Sequence, residues 1–133
     1  MRDEYLNELT KLISKFKEHA ITLQDGEARD EAVLEIIKAN VCDIFYKIFN
    51  VSYKKTFNNL DNVDECYRNL YSMYNDFLNR ISSPWKEKMT KDKEHNMFEE
   101  FYKEQIKLET VSHIRCLFDE CYSKYCKEKI ENE

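Results

Sequence analysis

Glu109 and His113 lie four residues apart, so both side chains could reach one metal ion from the same face of a helix. Carboxylate metal sites in helical bundles need more than this: Glu-x-x-His pairs on two helices and further glutamates that project inward from the others. The pair does not have that spacing, and the apolar stripes of the first three helical segments contain no acid. We therefore expect a surface contact between Glu109 and His113 and no bound cofactor.

Glu104 and Arg115 place two charges on an otherwise apolar stripe near the end of the chain. The stripe consists of Met97, Phe101, Leu108, Val111, Phe118, Tyr122 and Tyr125. A buried charge must find a partner, reach solvent or contact a ligand. One interpretation is a polar pocket in which Arg115 binds an anion. The other is drift of the stripe, in which Ile114 and Cys121 become the buried positions. In that case Arg115 pairs with Asp119, four residues on.

Three tyrosines, Tyr67, Tyr71 and Tyr74, share one face of the third helical segment. Such a row could line a pocket for a flat apolar ligand, with the hydroxyls as directional contacts. The alternative is a row of core rings whose hydroxyls emerge at the edge of the core.

The elements that must position these residues are helices. The 133 residues include one glycine, Gly26, and one proline, Pro84, and apolar residues recur every three or four positions. We expect Gly26 in the left-handed position after the first helix, and Asn62 with Glu65 as the N-terminal cap of the third. The first three segments are predicted at about Asp3 to Gln24, Glu27–Asp30 to Val51, and Asp61–Asn62 to Ser82.

The fourth segment, from Pro84 to Lys129, is too long for one helix of a compact bundle, at roughly 69 Å. Ser83 and Pro84 are typical of a helix start, and residues 90–96 lack apolar periodicity. We therefore predict a short fifth helix near 84–90 and a long C-terminal helix over about 93–127. The predicted fold is an all-α, antiparallel four-helix bundle forming one domain over residues 1–133.

An overlong final helix would leave apolar side chains exposed beyond the reach of its neighbours. The predicted interaction residues are Trp85, Phe118, Cys121, Tyr122 and Tyr125. The resulting hypothesis is a non-enzymatic helical-bundle protein that binds another protein or a second copy of itself. The alternative is a small-molecule- or metal-binding bundle, a sensor or an enzyme, that uses Glu104, Arg115 and the tyrosine row.

Composition argues against two other partner classes. The net charge is −5 and basic residues are interspersed with acids, which disfavours nucleic acid. No apolar run approaches the roughly 20 residues that span a bilayer. The five cysteines form no Cys-x-x-Cys pair, and acids follow Met1 where a signal peptide would be basic and apolar. We expect a cytoplasmic protein with reduced thiols.

Overall fold

The computed structural model describes residues 1–132 and consists of four helices: α1 (Arg2–Asp25), α2 (Arg29–Thr56), α3 (Val63–Glu94) and α4 (Phe98–Glu131). Helices that follow one another run antiparallel, and the described residues include no strand. α1 packs mainly on α2 and α3 mainly on α4, while α2 also contacts both helices of the second hairpin. These features confirm the predicted all-α antiparallel four-helix bundle.

The two ends of the bundle carry different parts of the chain. The connections 26–28 and 95–97 lie at one end, which we call the two-loop end. Met1, the connection 57–62 and Asn132 lie at the other, the terminal end. Because α2 and α4 both begin at the two-loop end, these two helices run parallel to each other.

Aromatic rings fill the core of the terminal half. The side chains of Tyr5, Phe45, Phe49, Tyr74 and Phe118 are all fully buried. Their ring centroids lie 5.0 Å apart for Tyr5 and Phe49, and 5.4 Å apart for Phe49 and Tyr74. Most of the pairs meet edge to face, the arrangement that the ring quadrupole favours.

Two buried tyrosine hydroxyls form a chain of hydrogen bonds within this aromatic core. The Tyr74 hydroxyl donates to the carbonyl oxygen of Phe45 at 3.2 Å, so it accepts from the Tyr5 hydroxyl, whose oxygen lies 2.5 Å away. Burial raises the pKa of both phenols and keeps them protonated. We call these two hydrogen bonds the hydroxyl relay. The relay links α1 to α3, two helices whose backbones do not approach each other.

The two-loop half has a different interior. This half comprises residues 13–40 and 79–110. Among these described residues, Ile106 is the one large apolar side chain that is buried. The other buried side chains there are small or polar: Ala20, Ala32, Ala39, Glu35, Ser82, Asp92, Glu104 and Thr110. The apolar core is therefore concentrated toward the terminal end.

α3 continues through Pro84 to Glu94, so the predicted fifth helix near 84–90 is wrong. Pro84 removes one donor, which frees the carbonyl of Arg80. Both residues are exposed, so water can bond this carbonyl. On the opposite face the buried Ser82 and Asp92 and the half-buried Trp85 hold the helix against the bundle. Tertiary contacts on one face thus override the proline signal.

The chain instead turns after Glu94, in a Schellman motif. Asn96 adopts a positive φ of 57°, and the backbone N–H of Met97 donates to the carbonyl of Asp92. As a result α3 has 32 residues and α4 has 34. The predicted long C-terminal helix is confirmed, but the prediction that it is much longer than its neighbour α3 is wrong.

Two capping predictions have opposite outcomes. Asn62 caps α3 as predicted, since its side chain accepts from the backbone N–H of Glu65 at 3.2 Å. Gly26, however, has a φ of −87°, and the neighbouring Glu27 takes the left-handed conformation with φ 66°. The prediction for Gly26 is wrong because the α1 terminus extends one residue further than expected.

Glu27→Gly and Gly26→Ala should each increase the free energy of unfolding. Glycine at position 27 relieves a left-handed conformation that costs an L-residue about 1 kcal/mol. Alanine at position 26 finds ordinary contact distances, the nearest being 3.5 Å to the Thr22 oxygen, and restricts the unfolded chain, so we expect a gain of about 0.5–1 kcal/mol. Urea unfolding measures both. A destabilising Gly26→Ala would contradict the observed φ.

Tyr74→Phe should cost more stability than Tyr5→Phe. Removing the Tyr74 hydroxyl leaves the buried Tyr5 hydroxyl without a partner, at about 1–3 kcal/mol. Removing the Tyr5 hydroxyl leaves Tyr74 still donating to Phe45, at about 0.5–1.5 kcal/mol. Urea unfolding of the two variants tests the direction of the relay, and the reverse order of stabilities would refute it.

Candidate functional site

A ladder of aromatic pairs joins α3 to α4. The rings of Tyr67 and Tyr125, of Tyr71 and Tyr122, and of Tyr74 and Phe118 have centroid distances of 4.2, 4.4 and 4.7 Å. The residues that the sequence suggested for a ligand pocket thus pack against those suggested for an interface. The ladder occupies the space in which a pocket between these helices would lie.

Two hydroxyls at the edge of the ladder bond to carboxylates of the protein itself. Tyr71 donates to Asp119 Oδ1 at 3.1 Å, and Tyr125 donates to Asp64 Oδ1 at 3.0 Å. Burial and these bonds to carboxylates raise the pKa of both phenols. Lys129 also binds Asp64 and lowers the pKa of that carboxyl.

Phe118 and Cys121 are core residues, so the predicted exposed apolar patch on the final helix does not form around them. The reason is the length of α3. Because α3 continues to Glu94, the chain turns only at residues 95–97, and the part of α4 with Phe118 and Cys121 lies alongside α3. Tyr122 and Tyr125 remain half-buried.

Trp85 is also half-buried. It lies in the middle of the α3 sequence and not at a helix start, and the Lys107 ammonium lies 5.5 Å from the centre of its ring.

Arg115 is held by two amides of α3. Its guanidinium donates to Asn75 Oδ1 at 3.3 Å and to Asn79 Oδ1 at 2.8 Å. The predicted partner Asp119 accepts from Tyr71 instead, while Ile114 is fully buried. Drift of the apolar stripe therefore accounts for Arg115, whose guanidinium bonds to two side chains of α3.

Glu104 is one of three buried carboxylates in the two-loop half, with Glu35 and Asp92, and 3% of its surface is exposed. Its Oε1 accepts from Lys107 at 3.2 Å and lies 3.7 Å from the Lys88 ammonium, whereas Oε2 has no hydrogen-bond partner among the described residues. Lys88 in turn donates to the buried Asp92 at 2.8 Å, and this bond raises the pKa of Lys88. The network ties the last turns of α3 to α4.

Glu109 and His113 both lie on the exposed side of α4. Within residues 1–132 no three His, Cys, Asp or Glu side chains are grouped closely enough to hold a metal ion. The cysteines are all unpaired, and burial raises the pKa of the Cys42 thiol to about 12. None of these groups forms a nucleophile or ligand set with its neighbours.

An open groove of about 450 Å³ lies between the first turns of α2 and α4. We call it the two-loop groove. Its walls are Asp30, Val33 and Leu34 on α2 and Glu99, Tyr102 and Lys103 on α4. Val33 is 43% exposed and Tyr102 is 50% exposed. Phe98 is exposed one turn before Tyr102 and Ile36 one turn after Val33, so apolar surface continues along both helices.

A second, smaller groove lies at the terminal end between α3 and α4. This C-terminal groove has a volume of about 280 Å³, and its lining includes Arg68, Tyr122, Tyr125, Cys126 and Ile130. Ile130 is largely exposed. Two of the predicted interaction residues, Tyr122 and Tyr125, therefore do reach a surface depression.

Sequence reasoning missed the two-loop groove. Phe98 and Tyr102 are each one position after a residue of the apolar stripe, Met97 and Phe101, and were not among the predicted site residues. The pair has a helical i, i+4 spacing just past a connection, which is the signal that could have identified it. Nothing in the sequence distinguishes Val33 from the buried apolar residues of α2, and the structure leaves it exposed.

Comparison of the chain with protein-family profiles, curated proteins and solved structures finds no match. Among the described residues, no helix has both the length and the sustained apolarity needed to cross a membrane.

Glu104→Met should raise the free energy of unfolding by about 1 kcal/mol. The substitution removes a buried carboxylate that is only half satisfied, and Lys107 can still reach solvent. Urea unfolding measures the change, and Lys107→Met is the control that leaves the carboxylate in place and should destabilise. A large loss of stability in Glu104→Met would show that the ion network is essential for the two-loop half.

Proposed function

We propose that this chain is a non-enzymatic helical-bundle protein that acts by binding another protein through the two-loop groove and the apolar residues beside it. The observation that carries the proposal is the distribution of apolar side chains in this half. Apart from Ile106, the buried residues of the interior are alanines and polar groups, whereas Val33, Phe98 and Tyr102 are exposed. Exposed apolar residues grouped at a groove are typical of protein interfaces.

The shape of the groove favours a protein ligand over a small molecule. Small-molecule sites are concave and enclose most of the ligand. The two-loop groove is open and lies between two helix starts, and exposed aromatic residues such as Tyr102 are frequent anchors of protein interfaces. The polar groups suggested for a ligand pocket, Arg115 and Tyr71, already bond to the protein itself.

A second candidate is self-association through the C-terminal groove. Tyr122, Tyr125 and the exposed Ile130 support it, since aromatic and aliphatic residues together form a small docking surface. The occupant would be a second copy, as the predicted homodimer requires. Ile130→Gln tests this surface separately.

Three variants distinguish the surfaces. Val33→Gln with Tyr102→Gln alters the two-loop groove, Ile130→Gln alters the C-terminal groove, and Val51→Gln is a control with the same exposure as Val33, 45% against 43%. Affinity capture followed by reconstitution with purified partners should show binding lost in the first variant, by at least about tenfold, and kept in the control. Glutamine is chosen because it preserves helix propensity.

Light scattering on the same proteins determines whether the partner is a second copy. A dimer that Ile130→Gln converts to a monomer would support the C-terminal groove. Partner binding that survives Val33→Gln with Tyr102→Gln, in a protein that circular dichroism shows to be folded, would refute the two-loop groove as the interface.

A further inference from the structure

We propose that the two-loop groove binds a basic amphipathic helix of another protein. Apolar side chains of that helix would lie between Val33 and Tyr102, and its Lys or Arg residues would pair with Asp30 and Glu99. This inference rests on the proposed function and adds the chemistry of the partner.

The walls of the groove carry unpaired negative charge. Asp30 on α2 and Glu99 on α4 have no ion-pair partner within residues 1–132. The one basic residue of the walls is Lys103, whose ammonium lies 3.6 Å from Glu100 Oε1 and is therefore partly neutralised. One free carboxylate on each wall favours a partner with a cation on either side of an apolar strip.

The surrounding sequence extends the same charge. Residues 25–31 contain Asp25, Glu27, Asp30 and Glu31 against the single cation Arg29, and all five residues are exposed. Acids in the first turn of a helix also stabilise its positive N-terminal end. Their exposure leaves them free to attract a basic partner at the same time.

The geometry of the groove fits a helix. α2 contributes residues 30, 33 and 34 and α4 contributes residues 99, 102 and 103, which is the same i, i+3, i+4 set on two parallel helices. Together they form a depression about one helical turn long between the two helices. A helical ligand can place its own i, i+3 and i+4 side chains in such a depression. A peptide that binds by strand addition would need a strand edge, and the described residues provide none.

Two labelled peptides of about 20 residues test the proposal by fluorescence anisotropy. Both carry leucine at helical spacing on one face, and the other face carries lysine in one peptide and glutamate in the other. The wild-type chain should bind the lysine peptide on the order of tenfold more tightly, and the preference should decrease with salt. Asp30→Lys with Glu99→Lys should reverse the preference, and Val33→Gln with Tyr102→Gln should weaken binding of both peptides.

Glu120→Lys with Glu128→Lys is the matched control, since it makes the same change in net charge at exposed positions of the terminal half. Equal binding of the two peptides, or a reversed preference in the control variant, would refute the proposal that the partner is basic. Neither result would refute the two-loop groove as the interface. Failure of both peptides to bind while the natural partner still requires Val33 and Tyr102 would overturn the helical ligand. A dimer that Val33→Gln with Tyr102→Gln dissociates would assign the groove to a second copy.

Discussion

The hydrogen bond between the buried hydroxyls of Tyr5 and Tyr74 fixes how the two helical hairpins meet. Burial of the surrounding rings supplies most of the attraction, but apolar burial has no direction and tolerates sliding of one hairpin past the other. The hydroxyl relay to the Phe45 carbonyl has a direction and a length. Because both tyrosines are fully buried, a shift that broke the relay would leave a polar group unsatisfied, so the relay selects one register.

That register also determines what remains open. Once the hairpins are joined in the terminal half, the first turns of α2 and α4 lie side by side, and apart from Ile106 the buried residues of this half are small or polar. Ala20 of α1 and Ala32 of α2 are small buried residues of the first hairpin, and Lys88 joins α3 to α4 through Glu104. These contacts act within each hairpin. The two-loop groove is the space that they leave between the hairpins.

The sequence predicted the number, type and approximate position of the helices because apolar spacing depends on local geometry. The predictions were wrong where contacts between helices determine the helix boundaries and the burial of side chains. Pro84 resembles a helix start until the buried face around it is known, and Gly26 resembles a left-handed cap although Glu27 takes that conformation. Phe118 and Cys121 seemed exposed because the length of α3 was underestimated. Periodicity identifies the apolar face of a helix but not the neighbour that covers it.

The candidate site follows the same logic. Most residues with chemically distinctive side chains, such as Arg115 and the tyrosine row, turned out to bond or pack within the bundle. The residues of the two-loop groove are ordinary by type, and their exposure makes them informative. Val33 and Tyr102 leave 43% and 50% of their surface exposed, so folding gains only part of the free energy that full burial of these side chains would give. Burial against a partner would gain more of that free energy on binding.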